Sequence, residues 1–180
     1  MSFVCLWTPG WRTGAASAAE LAPILLAAVP RVATDARGLL WADARGMNAR
    51  AVASELLELM RARDVVDVRV GVASVPIVAE IAASADYGLH AAQGAPADCV
   101  FVESGRDAEF LAPLPIDVLA PSPKLLPLLD GTGIATCGDL AILDPEAVEV
   151  RFGIEGVRLW QLARADSLFA KRDDRRRLMT

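Results

Sequence analysis

The chain has 180 residues, 54% of them hydrophobic, with one histidine, three cysteines and a formal net charge of −5. That length buries one good core or two small ones, and a lone His90 removes most metal sites and histidine-based triads. Residues 1–150 hold 10 Lys/Arg against 19 Asp/Glu, whereas residues 151–180 hold 8 against 4, so any nucleic-acid contact is expected to concentrate in the C-terminal part.

Ser2 to Thr8 is a short apolar run closed by Pro9-Gly10 and predicts a buried strand. Ser17 and Glu20 form a capping-box pattern ahead of a helix to about Ala28, in which Pro23 should introduce a kink or delay the start. Arg31–Thr34 and Leu39–Asp43 read as two strands joined by a turn at Asp35–Gly38. Asn48 can cap a helix to about Arg63, whose Val52, Leu56, Leu57 and Met60 share one face. Val66–Ala73 alternates as a strand, and Ser74 and Pro76 open a helix carrying Ile77, Val78 and Ile81. After a Gly/Ala-rich loop at Tyr87–Asp98, Cys99–Glu103 is a further strand. The first six elements match the split βαβ, ferredoxin-like layout, an antiparallel sheet with helices on one face. Beyond Ser104 no strand pattern survives. The expected class is therefore α+β, with a sheet domain over 1–104 and a small all-helical domain over 105–180.

The helical part holds two glycine hairpins. Lys124–Leu129 leads into Asp130-Gly131-Thr132-Gly133-Ile134, and a second helix enters through Ala135-Thr136-Cys137-Gly138-Asp139. Glycines there supply torsions or close approaches that a Cβ would obstruct. Phe152-Gly153-Ile154-Glu155-Gly156 repeats the spacing ahead of an arginine-bearing helix. In helix-hairpin-helix modules the hairpin N–H groups grip a nucleic-acid phosphate without reading sequence. The candidate DNA-contacting set is Gly131, Thr132, Gly133, Ile134 and Ala135, with Gly153, Gly156, Arg151, Arg158 and Arg164. The same hairpins can instead serve only packing, and the basic Lys171–Arg177 stretch can be a solvated tail.

Cys5, Cys99 and Cys137 are widely spaced among apolar residues and read as buried thiols of a reducing, cytoplasmic compartment. No run of eighteen uncharged apolar residues and no basic-then-apolar leader occurs, so neither a membrane span nor a signal peptide is expected. Trp7, Trp11 and Trp41 could stack on bases, although tryptophan on strands more often packs in a core, and Trp160 is expected in the helical core.

Several words in order carry a family resemblance. They are Leu6-Trp7-Thr8-Pro9, Gly38–Gly46 (Gly-Leu-Leu-Trp-Ala-Asp-Ala-Arg-Gly), Val70-Gly71-Val72-Ala73 before Ala79-Glu80-Ile81-Ala82, and Phe110–Pro115. Gly133–Leu140, Arg151-Phe152-Gly153 and Arg158–Ala163 complete the series. Together they resemble the Y family of DNA polymerases (UmuC/DinB-like), closest to its inactive ImuB-like branch. The resemblance implies a palm over 1–104, lacking most of the fingers, and a thumb over 105–180.

The departures from that pattern bear on activity. Active members end the first strand in a metal-binding aspartate, where this chain has Cys5-Leu6-Trp7-Thr8, and place an Asp-Glu pair at the positions of Gly38 and Leu39. Two-metal phosphoryl transfer needs several converging acidic oxygens, and Asp43 is the one surviving aspartate, at most a vestige of a metal site. Asp35, Asp64 and Asp67 lie near strand ends and could gather with it. No lysine precedes Lys124, and Glu80 stands where the family word often carries lysine, so a triphosphate clamp is not expected. The resemblance thus implies a non-catalytic accessory protein of DNA repair and translesion synthesis, with no cofactor and no bound metal. Its partners would be DNA, held weakly and without sequence preference, and other translesion proteins or a second copy of itself. Two other readings are a protein-interaction scaffold that binds no DNA, and a residual metal-dependent phosphotransferase or nuclease.

Overall fold

The computed structural model describes residues 2–8, 18–34, 39–65, 67–84 and 99–166. Pro9-Gly10, Trp11, the Ser17 cap, the Asp35–Gly38 turn, Val66, the Tyr87–Asp98 loop with His90, and the Lys171–Arg177 tail lie outside them. Two compact units result, with Ser104 ending the first and Gly105 opening the second.

The first unit runs β1 (Phe3–Trp7), α1 (Ala18–Leu25), β2 (Val32–Thr34), β3 (Leu40–Asp43), α2 (Ala49–Arg61), β4 (Arg69–Ala73), α3 (Pro76–Ser84) and β5 (Cys99–Phe101). Its five strands are ordered β2-β3-β1-β4-β5. The pairs β2–β3, β3–β1 and β1–β4 are antiparallel, which is the split βαβ arrangement. The fifth strand departs from the expected antiparallel sheet. It pairs with β4 in parallel, because the connection through α3 is a crossover and not a hairpin.

Alternation along the strands sorts the residues onto two faces. Val4, Leu6, Leu40, Ala42, Val70 and Val72 meet Leu21 and Leu25 of α1 and Val52, Leu56 and Met60 of α2. Burying each such leucine stabilises the unit by about 1.5–3 kcal/mol. Helix α2 starts where expected, because Asn48 Oδ1 accepts from the N–H groups of Arg50 at 3.1 Å and Ala51 at 3.2 Å. Helix α1 stops at Leu25, two residues past Pro23, and the chain continues to Ala28 only as turns.

Helices α1 and α2 share that first face, and the other face is covered by the next helix in the chain. Helix α3 lies over β4, and Gly71 makes this possible. A Cβ at Gly71 would sit 2.1 Å from the Ala79 carbonyl oxygen and 2.6 Å from Ala83 N. The absent side chain lets the backbone of α3 rest on the strand.

The second unit contains α4 (Asp107–Leu111), a 3-10 turn (Ile116–Leu119), α5 (Leu126–Asp130), α6 (Cys137–Ala141) and α7 (Pro145–Ala163). Leu111, Leu114, Leu129, Leu140, Val148 and Leu159 form its buried interior. Helix α6 begins in a capping box: Asp139 N donates to Thr136 Oγ1 at 3.1 Å, and Thr136 N donates to Asp139 Oδ2 at 2.8 Å. Helix α7 begins at Pro145, with Asp144 Oδ1 accepting from Glu146 N and Ala147 N. It breaks at Gly153, whose φ of 65° and ψ of −163° are not helical. Trp160, expected in the core, is only half-buried, and its indole N–H donates to the Leu143 carbonyl at 2.9 Å. Burial pushes the Cys137 thiol up to about 12, consistent with an inert packing cysteine.

Candidate nucleic-acid interface

The end of β1 where an acidic cage was sought is apolar. Cys5 faces Trp41 on β3 and Gly71 on β4, and Leu6 faces Leu40. Cys5, Leu6, Leu39, Leu40 and Trp41 are all buried. Asp43 lies at the opposite end, paired with Phe3. Four residues of strand separate it from Trp7, about 13 Å.

Asp43 is held by its neighbour. Its carboxylate accepts from Arg45 N at 3.1 Å and from Arg45 Nε at 2.7 Å, and a second guanidinium nitrogen bonds its other oxygen. The Arg45 side-chain hydrogen bonds hold the carboxyl below its usual range, against the opposing effect of burial. The same guanidinium lies 5.5 Å from the centre of the Phe3 ring. Asp64 and Asp67 sit at positive φ, 55° and 60°, in the connection between α2 and β4. Among the described residues no three His, Cys, Asp or Glu side chains gather as a metal site. Glu80 is buried within α3.

The first hairpin can be accounted for donor by donor. The N–H groups of Gly131, Thr132, Gly133 and Ile134 donate to the carbonyls of Pro127, Leu129, Asp130 and Leu129, at 2.9, 3.0, 2.9 and 3.0 Å. Gly133 adopts φ +78°, and together these bonds close the end of α5 in the manner of a Schellman turn. Ala135 N and Thr136 N both donate to Asp139 Oδ2, at 3.1 and 2.8 Å. Cys137 N and Gly138 N donate to the carbonyls of Leu114 and Ala112, each at 2.9 Å. Every N–H from Gly131 to Ala135 therefore already has an internal acceptor. Backbone donation to the Asp139 carboxylate holds that carboxyl below its usual range. Gly131 has helical φ (−60°), so its requirement is close approach alone. A Cβ there would lie 3.2 Å from the Pro127 oxygen.

The second hairpin is built differently. Gly153 turns the chain in a region of torsion space that is essentially glycine's own. Gly156 is buried, and a Cβ there would meet Phe152 Cβ at 2.3 Å. Arg151 and Arg158 are exposed, and the Arg151 guanidinium lies 6.0 Å from the Phe152 ring centre. Arg164 is exposed but engaged: it donates to the Ala141 carbonyl at 3.0 Å, at the end of α6, and lies 4.8 Å from the Trp160 ring centre. Gly131, Thr132 and Arg151 are brought together, lining one open cavity with Phe152.

Glu155 was not singled out by sequence reasoning. Its carboxylate accepts from Ser122 N at 2.7 Å and from the Ser122 hydroxyl at 2.9 Å, tying the second hairpin to the segment before α5. No local pattern marks a pair 33 residues apart. The Asp139 contact, by contrast, was readable from Thr136-x-x-Asp139.

No protein-family model matches the sequence, and no curated protein matches it. Solved structures do. A DinB family error-prone DNA polymerase from Sulfolobus solfataricus is similar at 19% identity, over 81% of this chain and 44% of its own, with a TM-score of 0.60. An insertion ternary complex of Dbh DNA polymerase is similar at 18% identity, over 81% of this chain and 42% of its own, with a TM-score of 0.59. A Y-family DNA polymerase chimera built on Dbh gives 20%, 81%, 42% and 0.60 for the same measures. The fold is Y-family polymerase-like. This chain spans less than half the length of those polymerases. Among the described residues no helix is long and apolar enough to cross a membrane.

Proposed function

We propose that this is a non-catalytic, Y-family polymerase-like accessory protein of DNA repair and translesion synthesis, akin to the ImuB-like branch. The observation that carries the proposal is the buried, uncharged character of Cys5, Leu6 and Leu39, where the active family keeps its acids. A carboxylate cage buried among such residues would face a large desolvation cost unless metal bound it. Asp43 serves Arg45 in this reading.

The proposed DNA contact is a sequence-independent grip on the sugar–phosphate backbone. It centres on the second hairpin, at Gly153 and Gly156, with the exposed Arg151 and Arg158 supplying positive charge. Gly131 to Ala135 would shape the neighbouring surface; the N–H groups of Gly131 to Ile134 are closed by α5 carbonyls, and phosphate would reach Ala135 N only by displacing Asp139. Arg164 would act through its hold on α6. Other translesion proteins, or a second copy of the chain, would occupy the remaining surface.

One observation favours a second reading, a scaffold that binds proteins and no DNA. Gly105–Asp166 contains 5 Lys/Arg against 10 Asp/Glu, an acidic field that repels a polyanion. Fluorescence anisotropy with single- and double-stranded DNA across a salt series separates the two. Two arginine–phosphate contacts give a slope near −1.8, so affinity in the range of about 10⁻⁴–10⁻⁶ M should fall about tenfold between 50 and 200 mM salt. Arg158→Gln should halve that slope. Absence of salt-sensitive binding would leave the scaffold reading in possession.

A further inference from the structure

An open concavity among the described residues of the helical unit has a chemistry that backbone gripping does not explain. It measures about 220 Å³ and is lined by Pro127, Leu128, Gly131, Thr132, Arg151 and Phe152. Three of these supply apolar or aromatic wall, and the Thr132 hydroxyl is turned to the Leu129 carbonyl at 2.8 Å. Arg151 is the one cation in the lining and has no ion pair among the described residues. Leu128 of the lining is 55% exposed, and Val150, next to Arg151, and Ile154, two residues past Phe152, are 90% and 85% exposed.

We propose that this pocket docks a segment of a partner protein that offers one large apolar side chain with a carboxylate beside it. Size sets the first half of the requirement. A dry cavity of about 150 Å³ accommodates a benzene ring, so this one has room for a Leu, Met or Phe side chain. Charge complementarity sets the second half. A solitary guanidinium on an apolar wall pairs well with one carboxylate in a forked geometry. A sugar–phosphate strand fits less well, because it brings repeated charge into a unit with twice as many acids as bases and offers nothing to fill an apolar pocket. The inference goes beyond the DNA-contact reading and does not depend on it, although both use Arg151.

The test uses the full chain with isotopically labelled methyl and aromatic groups. The probe is an acetylated, amidated pentapeptide, Gly-Leu-Asp-Gly-Gly, with its Asn-for-Asp and Ala-for-Leu counterparts and a ten-nucleotide thymidylate as comparators. The Asp peptide should shift the Leu128 and Phe152 resonances with saturation at millimolar concentration. Either comparator peptide should bind at least fivefold more weakly. Arg151→Gln, an exposed change that leaves the packing intact, should weaken the Asp peptide about tenfold and the Asn peptide hardly at all. Equal binding of the Asp and Asn peptides would overturn the proposal, as would shifts produced by the thymidylate alone. Self-association that protects the same resonances while no peptide competes would assign the pocket to a second copy and equally refute it.

Discussion

Replacing Gly153 by alanine isolates a backbone effect from a packing effect. Nothing lies within 4 Å of the place a Cβ would occupy, so no atom needs to move to admit the methyl group. The torsions themselves, φ 65° and ψ −163°, belong to a region that L-residues almost never enter. Holding alanine there costs about 1–3 kcal/mol, and no repacking can relieve it. Gly131→Ala is the matched control. Its φ is helical and its new Cβ would be 3.2 Å from the Pro127 oxygen, so a small adjustment competes with a gain of about 0.4–1 kcal/mol from a stiffer unfolded chain. Native-state hydrogen exchange, read on peptides from α6 and α7, reports the second unit by itself. Exchange there should accelerate by about 5- to 150-fold in Gly153→Ala and by less than threefold in Gly131→Ala. If Gly153→Ala exchanges like the parent, the break in α7 is not held by its glycine, and the second hairpin cannot be the rigid phosphate grip proposed above.

Two further predictions concern the sheet. Gly71→Ala must move the backbone of α3 by about 1.3 Å to restore normal contact with Ala79, because the clashing atoms are main chain and not a flexible side-chain tip. The cost should reach the upper end of the overpacking range, about 3 kcal/mol, read as a lowered urea midpoint with an unchanged slope; a loss below 0.5 kcal/mol would deny the close α3–β4 contact. Asp43→Asn should lose about 1–3 kcal/mol at neutral pH by weakening the charged bonds from Arg45. Since the folded carboxyl titrates below its unfolded value, this contribution is complete well above pH 3.9 and disappears as pH falls through the folded value. Thermal melts of parent and variant should therefore converge towards acid, and a gap that stays constant to pH 2 would show that the pair is not electrostatic in origin.

The fold was largely legible because its strands stand out as short apolar or alternating runs and helix α2 announces its start. The alternation of Val66–Ala73 marked the region of β4, and Asn48 marked the entry of α2. What escaped was long-range. The close seat of α3 on the second face of the sheet depends on Gly71 meeting Ala79 and Ala83, which no local window contains. The candidate site was legible in outline only. Glycine spacing located both hairpins, yet spacing cannot say whether an N–H is open. Gly131 to Ala135 turned out to be closed by α5 carbonyls and by Asp139.

That closure bears on what the remaining acids can do. Asp43 serves Arg45, Asp139 serves Ala135 and Thr136, Asp144 serves Glu146 and Ala147, and Glu155 serves Ser122. Each is a local structural tie at a different place in the chain, where a phosphoryl-transfer centre needs several oxygens converging on ions about 3.5–4 Å apart. Drawing any of the capping acids towards a cation would surrender about 1 kcal/mol of capping energy and leave N–H groups without an acceptor. In the non-catalytic reading proposed above, these four carboxylates act as structural ties and not as metal ligands. The acidic surface repels nucleic acid over a Debye length of about 8–10 Å, so the backbone contact proposed above would be local, made by Arg151 and Arg158 at short range, and would weaken steeply with salt.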